Sequence, residues 1–101
     1  MKKIINGKKY DTETAKEIGR YFNGYNCRDF NYVEETLYKK RTGEFFLHGE
    51  GGPMTRYGEK CGNSYGYGDI IIPLTENEAK AWAEKNMDVD DYEELFGEVE
   101  E

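Results

Sequence analysis

The stretch at 30–48 leaves this chain the fewest choices. Over 30–40 ("FNYVEETLYKK") β-branched and aromatic residues are frequent and alternate: Asn31, Val33, Glu35 and Leu37 fall on one face, and Phe30, Tyr32, Glu34, Thr36 and Tyr38 on the other. "KRTG" supplies a turn, with Gly43 able to take positive φ. "EFFLHG" then runs back antiparallel, with Phe45 and Leu47 facing opposite to Phe46 and His48. A hairpin with aromatics on both faces needs cover on both. It therefore predicts the centre of a small antiparallel sheet, packed by helices on one side and half covered on the other.

The flanking segments supply the cover. Asn6-Gly7 in "KKIINGKKYD" is a strong hairpin signal, because both turn residues tolerate positive φ. In "DTETAKEIGRYF" Asp11 or Thr12 can cap, and Ala15, Ile18 and Phe22 share one helical face, which predicts a helix over 12–21 ended by Asn23-Gly24. "DIIIPL" reads as a buried strand joining the sheet. Thr75 and Glu78 have capping-box spacing and open a helix over 76–87, with Trp82 as core anchor. Val89, Tyr92, Leu95, Phe96 and Val99 set a final helix over 89–96, followed by a frayed acidic end. The expected architecture is α+β: three or four antiparallel strands and about three helices packed mainly on one face, in a single domain over 1–101.

Composition decides between classes of function. At 101 residues the chain can bury a core but not build a deep cleft between subdomains. Charged residues are 35% of the chain, but 15% aromatics place it with folded rather than disordered sequences. Two cysteines are too few for a disulfide framework, and the longest apolar run, "IIIPL", cannot span a bilayer, so a cytoplasmic protein with reduced thiols is expected. Residues 1–75 hold 12 Lys/Arg against 10 Asp/Glu, whereas 76–101 hold 2 against 11. The acid is thus concentrated in the last quarter, where Asp90, Asp91, Glu93 and Glu94 face away from the apolar stripe. Such a face repels free nucleic acid and attracts basic protein surfaces.

Enzymatic chemistry finds little support. "HGEGGP" lacks the nucleophile elbow that acyl transfer requires, and Pro53 and the missing GK[ST] exclude a phosphate loop. Glu34 and Glu35 point to opposite faces and cannot pair as glycosidase acids. Cys27, His48 and Cys61 are the soft or borderline metal ligands available, so zinc is the one candidate cofactor, although no C-x-x-C or H-x₃-H spacing supports it. Seven of the twelve glycines lie in 49–68, interleaved with Tyr57, Tyr65 and Tyr67. A loop this long in a small domain marks a second candidate partner surface.

"INGKKYDTETAKEIG", "EETLYKKRTGEFFLHGEGGP", "IIPLTENEAKAWAEK" and "YEELFGE" together resemble a family of small proteins encoded by phages and conjugative elements of Gram-positive bacteria. Some accessory proteins of this kind are anti-CRISPR proteins. The resemblance implies a non-enzymatic, stoichiometric inhibitor in the cytoplasm of the bacterial host. Its partner would be a type II CRISPR effector nuclease, engaged through the acidic surface so as to hinder guide and target binding, without direct contact to nucleic acid. The alternatives are a mobile-element accessory or regulatory protein that binds another host or element protein, or a zinc-binding structural module. The resemblance carries no catalytic residue onto any position of this chain.

Overall fold

The computed structural model describes residues 1–100. Element order is β1 (Lys2–Ile5), β2 (Lys8–Asp11), β3 (Lys16–Phe22), β4 (Val33–Lys39), β5 (Phe45–Gly51), β6 (Glu59–Cys61), β7 (Ser64–Gly66), β8 (Gly68–Leu74), α1 (Glu76–Asn86) and α2 (Val89–Phe96). The fold is α+β. A four-stranded antiparallel sheet in the order β3-β4-β5-β8 forms its centre, and β1-β2 and β6-β7 are separate two-stranded ribbons.

The turns follow their chemistry. Asn6 and Gly7 both have positive φ, 51° and 77°, which matches the right-handed twist of the flanking strands and closes β1 on β2. Gly43, at φ 91°, closes β4 on β5, and the register then brings Leu37 opposite Leu47 and Leu47 opposite Ile72. That row is the core. Leu37, Phe45, Leu47 and Ala79 are buried together, with Ile18, Ile72, Leu74, Trp82, Leu95 and Phe96 packed around them. Leu37 is fully buried, and burying such a side chain is worth about 1.5–3 kcal/mol.

Both helices lie on this face. Thr75 accepts from the Glu78 backbone N–H while the Glu78 side chain accepts from the Thr75 N–H, so both partners of the capping box are present. Ala79 and Ala83 are small enough to let α1 approach the sheet, and both are fully buried. Asp88 caps α2 through the Asp91 N–H, and Gly97, at φ 91°, follows its last residue. The opposite face is covered at one end by the β1-β2 ribbon, where Tyr10 meets Phe46 edge-on and Ile5, Ala15 and Tyr38 close the second cluster.

Among the described residues two helices are present rather than three, because 12–21 does not form one. Asp11 instead makes a turn, accepting from Glu13 N–H through its side chain and from Ala15 N–H through its carbonyl, and the chain then extends as edge strand β3. Ala15 and Ile18 join different clusters on opposite sides of the sheet, which one helical face could not do. Their spacing imitated an amphipathic helix, but β4 needed a neighbour, and a slip of register at Ile18 fits β3 to it.

The stretch at 49–68 is not one structureless loop: it includes the end of β5 and the β6-β7 ribbon. No helix among the described residues is long and apolar enough to cross a membrane.

Candidate functional site

Three charged or aromatic surfaces stand out, and the first is α2. Its N-terminal end is fixed by the Asp88 cap, and its inner side is fixed by Leu95 and Phe96, the latter meeting the rings of Phe45 and Tyr92. Asp90, Asp91 and Glu94 are exposed. Glu93 differs from the other three: it is half-buried, and its carboxylate accepts the Val99 N–H, so it ties down the chain end. Val89, expected on the apolar stripe, is 71% exposed, and Val99 lies beyond the helix. The Asp91 carboxyl is raised above its ordinary range, chiefly by the charge of Asp88 beside it. Acids so close together already repel one another, and a cationic partner would relieve that repulsion.

The second surface was not apparent in the sequence. Strand pairing sets Phe22 opposite Glu34, Glu34 opposite Glu50, and Glu50 opposite Asp69, so three carboxylates stand abreast across β4, β5 and β8 on the face away from the helices. Neighbours hold each in place. The Tyr32 hydroxyl lies 2.5 Å from Glu34 and 3.0 Å from Glu50, Arg20 lies 3.3 Å from Glu34, and His48 Nε2 lies 3.1 Å from Asp69. Burial, then the two carboxylates, push the Tyr32 phenol far above its ordinary value, so it stays a donor. A cleft of about 380 Å³ opens beside this row, lined by Cys27, Tyr32, Glu50, Gly51, Tyr67, Gly68 and Asp69. The hairpin turn carried a signal for it. Lys40 and Glu44 close the turn, and each step outward from that pair matches one residue on each arm, so that Glu34 meets Glu50.

The third surface is the glycine and tyrosine segment, and here the three tyrosines separate. Tyr65 and Tyr67 are exposed, and the Tyr67 hydroxyl donates to the Arg28 carbonyl. Tyr57 is buried and turned inward. Its hydroxyl donates to Glu35, which also accepts the Trp82 indole N–H at 3.0 Å and has Arg56 at 3.7 Å. Burial and the Glu35 bond raise the Tyr57 phenol well above its ordinary value. Glu35 is thus a buried carboxylate satisfied by two hydrogen-bond donors with the Arg56 charge close by, and it joins sheet, α1 and loop. Tyr57 belongs to this structural hub and not to a partner surface. Tyr65 and Tyr67 remain available, with Tyr25, Phe30 and Met54 also exposed in the loops nearby.

The structure separates the metal candidates. Cys27 lines the cleft, His48 is bonded to Asp69, and Cys61 lies on the β6-β7 ribbon with its thiol directed at the Glu59 carbonyl. Both cysteines are free and exposed. Among the described residues no group of three or more His, Cys, Asp or Glu side chains is placed to hold a metal ion.

No family model, no curated protein and no solved structure matches the chain.

Proposed function

We propose that this protein is a stoichiometric, non-enzymatic inhibitor that binds a basic surface of a nucleic-acid-handling protein. In line with the family resemblance, the partner is a type II CRISPR effector nuclease in the cytoplasm of a bacterial host. The reading rests on one observation above the rest: α2 presents Asp90, Asp91 and Glu94 outward on a helix that is capped at its start and pinned along its inner side. A helix already ordered loses little further backbone entropy on binding, and an effector nuclease holds guide and target in a positively charged channel that its carboxylates can meet. The carboxylates of Glu34, Glu50 and Asp69 add a second acidic surface on the open sheet face.

The test is a titration of nuclease activity with wild type and with Asp90→Asn/Asp91→Asn/Glu94→Gln. Glu93 is left intact because it holds Val99. Wild type should inhibit near equimolar ratio, and binding should weaken as rising salt brings the screening length to about 8 Å. The variant should associate more slowly and with a shallower salt dependence. Equal inhibition and equal salt dependence would show α2 to be only a solvated face. Inhibition far below equimolar ratio would replace binding with catalysis.

A further inference from the structure

We propose that the tip of the β4-β5 hairpin, together with β2 and the turn before β3, binds the phosphodiester backbone of a nucleic acid strand. The inference goes beyond the reading above and departs from the resemblance, which implies no direct contact to nucleic acid: a nuclease caught with its guide offers both a basic protein surface and a phosphate backbone. It stands on a different surface, whose charge is opposite to that of α2.

Two clefts adjoin here, of about 360 and about 210 Å³, and they share Thr14, Ala15, Lys40 and Arg41. Lys16 and Lys39 line the first, and Lys9 lines the second. Five cations therefore line the two adjoining concavities, with Lys39 reaching to the helix face and Lys40 to the ribbon face. Their neutralisation is incomplete. Glu44 pairs with Lys40 at 3.3 Å and with Lys8 at 2.9 Å, and Asp11 lies 3.9 Å from Lys9. Lys16, Lys39 and Arg41 have no carboxylate within 4 Å among the described residues, although Asp91 and Glu94 share a neighbouring cleft with Lys16.

The strand register sharpens the point. Lys16 is the direct cross-strand partner of Lys39, and like charges set opposite each other on a sheet are unfavourable. An anion between them would turn that repulsion into a clamp. Aromatic rings hold Lys39 and Lys40, on opposite faces of the sheet. Lys40 lies over the Tyr10 ring at 4.3 Å and Lys39 over the Phe45 ring at 5.5 Å, while the turn is closed by Lys40 N–H to Glu44 and Gly43 N–H to Lys40.

The lining also selects the class of partner. It consists of Lys, Arg and Thr with one Asp and one Ala, and has no large exposed apolar side chain. A protein interface needs an apolar or aromatic centre, whereas a backbone phosphate is held by cations and hydroxyls alone. Thr14 supplies a hydroxyl, whereas that of Thr42 is engaged with Glu44. The chain's net charge of −7 opposes a polyanion at a distance, but within a screening length of about 8 Å the local charge decides.

The experiment is fluorescence anisotropy on the full chain without any nuclease, using labelled single-stranded RNA, DNA of the same sequence, and a polyglutamate peptide. Failure of inhibition and failure of strand binding are thereby read separately. Wild type should bind RNA, DNA or both, with polyglutamate weaker by at least about tenfold at low salt; a preference between the two strands identifies which is read, and either supports the site. Lys16→Gln/Lys39→Gln/Arg41→Gln should lose at least about tenfold in affinity, and the logarithmic salt slope should fall by about 2, at roughly 0.7 per phosphate contact. Lys2→Gln/Lys3→Gln/Lys60→Gln removes the same charge elsewhere and should stay within about twofold of wild type. Melting curves verify that both variants fold. No salt-dependent binding to either strand, equal losses in the two variants, or polyglutamate bound as tightly as RNA and DNA would each overturn the proposal; the last would point to an acidic protein segment.

Discussion

The ring of Tyr57 lies on the backbone of Gly49, in the space that a side chain at position 49 would occupy. Gly49 sits in β5 directly opposite Glu35, so its missing side chain lets the Tyr57 hydroxyl reach down to that carboxylate. A strand glycine here has a packing purpose, since β5 is otherwise weakened by it.

Gly49→Ala is expected to destabilise the protein by about 1–3 kcal/mol, because a Cβ would overlap the Tyr57 ring and force it from Glu35. Chemical denaturation measures this. In the double variant Gly49→Ala/Tyr57→Ala the space is vacated, so the alanine at 49 should cost much less there than in wild type.

Alkaline titration should separate the nine tyrosines. Burial and carboxylate partners raise Tyr57 and Tyr32 far above the ordinary value, and burial raises Tyr38 as well. A group raised on folding contributes stability that is complete below its unfolded pKa of about 10 and lost as pH climbs above it. Part of the phenolate absorbance should therefore appear only well above a pH of about 10, with Tyr57 and Tyr32 ionising together with unfolding. All nine titrating in one step, with the fold intact, would contradict the placement of Tyr57 and Tyr32.

What the sequence revealed depended on how local each cause was. The Asn6-Gly7 and Gly43 turns and the Thr75 and Glu78 box were legible because each is settled within four residues. The strand at 16–22 was not, because Ala15, Ile18 and Phe22 satisfy a helical period while the choice was made by β4, which needed an edge partner. Tyr57 was placed with Tyr65 and Tyr67 because all three follow glycines or precede them. Only its bond to Glu35, 22 residues away in the chain, sets it apart. The carboxylate row was a single residue from legible: a turn over 40–43 would set Glu34 opposite Gly49, whereas closure by Lys40 and Glu44 sets it opposite Glu50, and Asp69 joins through the return of β8 after the β6-β7 ribbon.

The acid side of the stability curve should show Glu44. Its carboxyl is lowered from 4.5 to about 2, first by the hydrogen bond from Lys8 and then by that from Thr42. A depressed carboxyl contributes stability that is present above its unfolded pKa and lost as pH falls through the folded one. The difference between wild type and Glu44→Gln should thus be constant above pH 4.5 and shrink as pH falls toward about 2. The Lys8 side chain is exposed, so the effect should be small and should fade in high salt. A difference that grew on acidification would reverse the sign and refute the pairing.

The last expectation concerns Glu35 as a shared acceptor. Its two oxygens receive the Tyr57 hydroxyl and the Trp82 indole N–H, with Arg56 close by, and the residue is only 8% exposed. Gln at this position keeps the volume but replaces one acceptor oxygen with an NH₂ that faces a donor. The Tyr57 oxygen can accept from that NH₂, but both donors lose a charged acceptor, and Glu35→Gln should cost about 1–3 kcal/mol. Tyr57→Phe removes one donor and leaves the carboxylate with Trp82 and Arg56, so its cost alone should be smaller. The charge-assisted bond between Tyr57 and Glu35 is lost in each single variant and can be lost only once in the double variant. The two substitutions should therefore be less than additive, with a coupling of about 0.5–3 kcal/mol. Tryptophan fluorescence gives an independent reading, because Trp82 is the only tryptophan and its indole loses a carboxylate partner in Glu35→Gln. Strict additivity in denaturation, with unchanged emission, would mean that the three side chains do not act as one network, and the segment at 52–58 would need another anchor on the sheet.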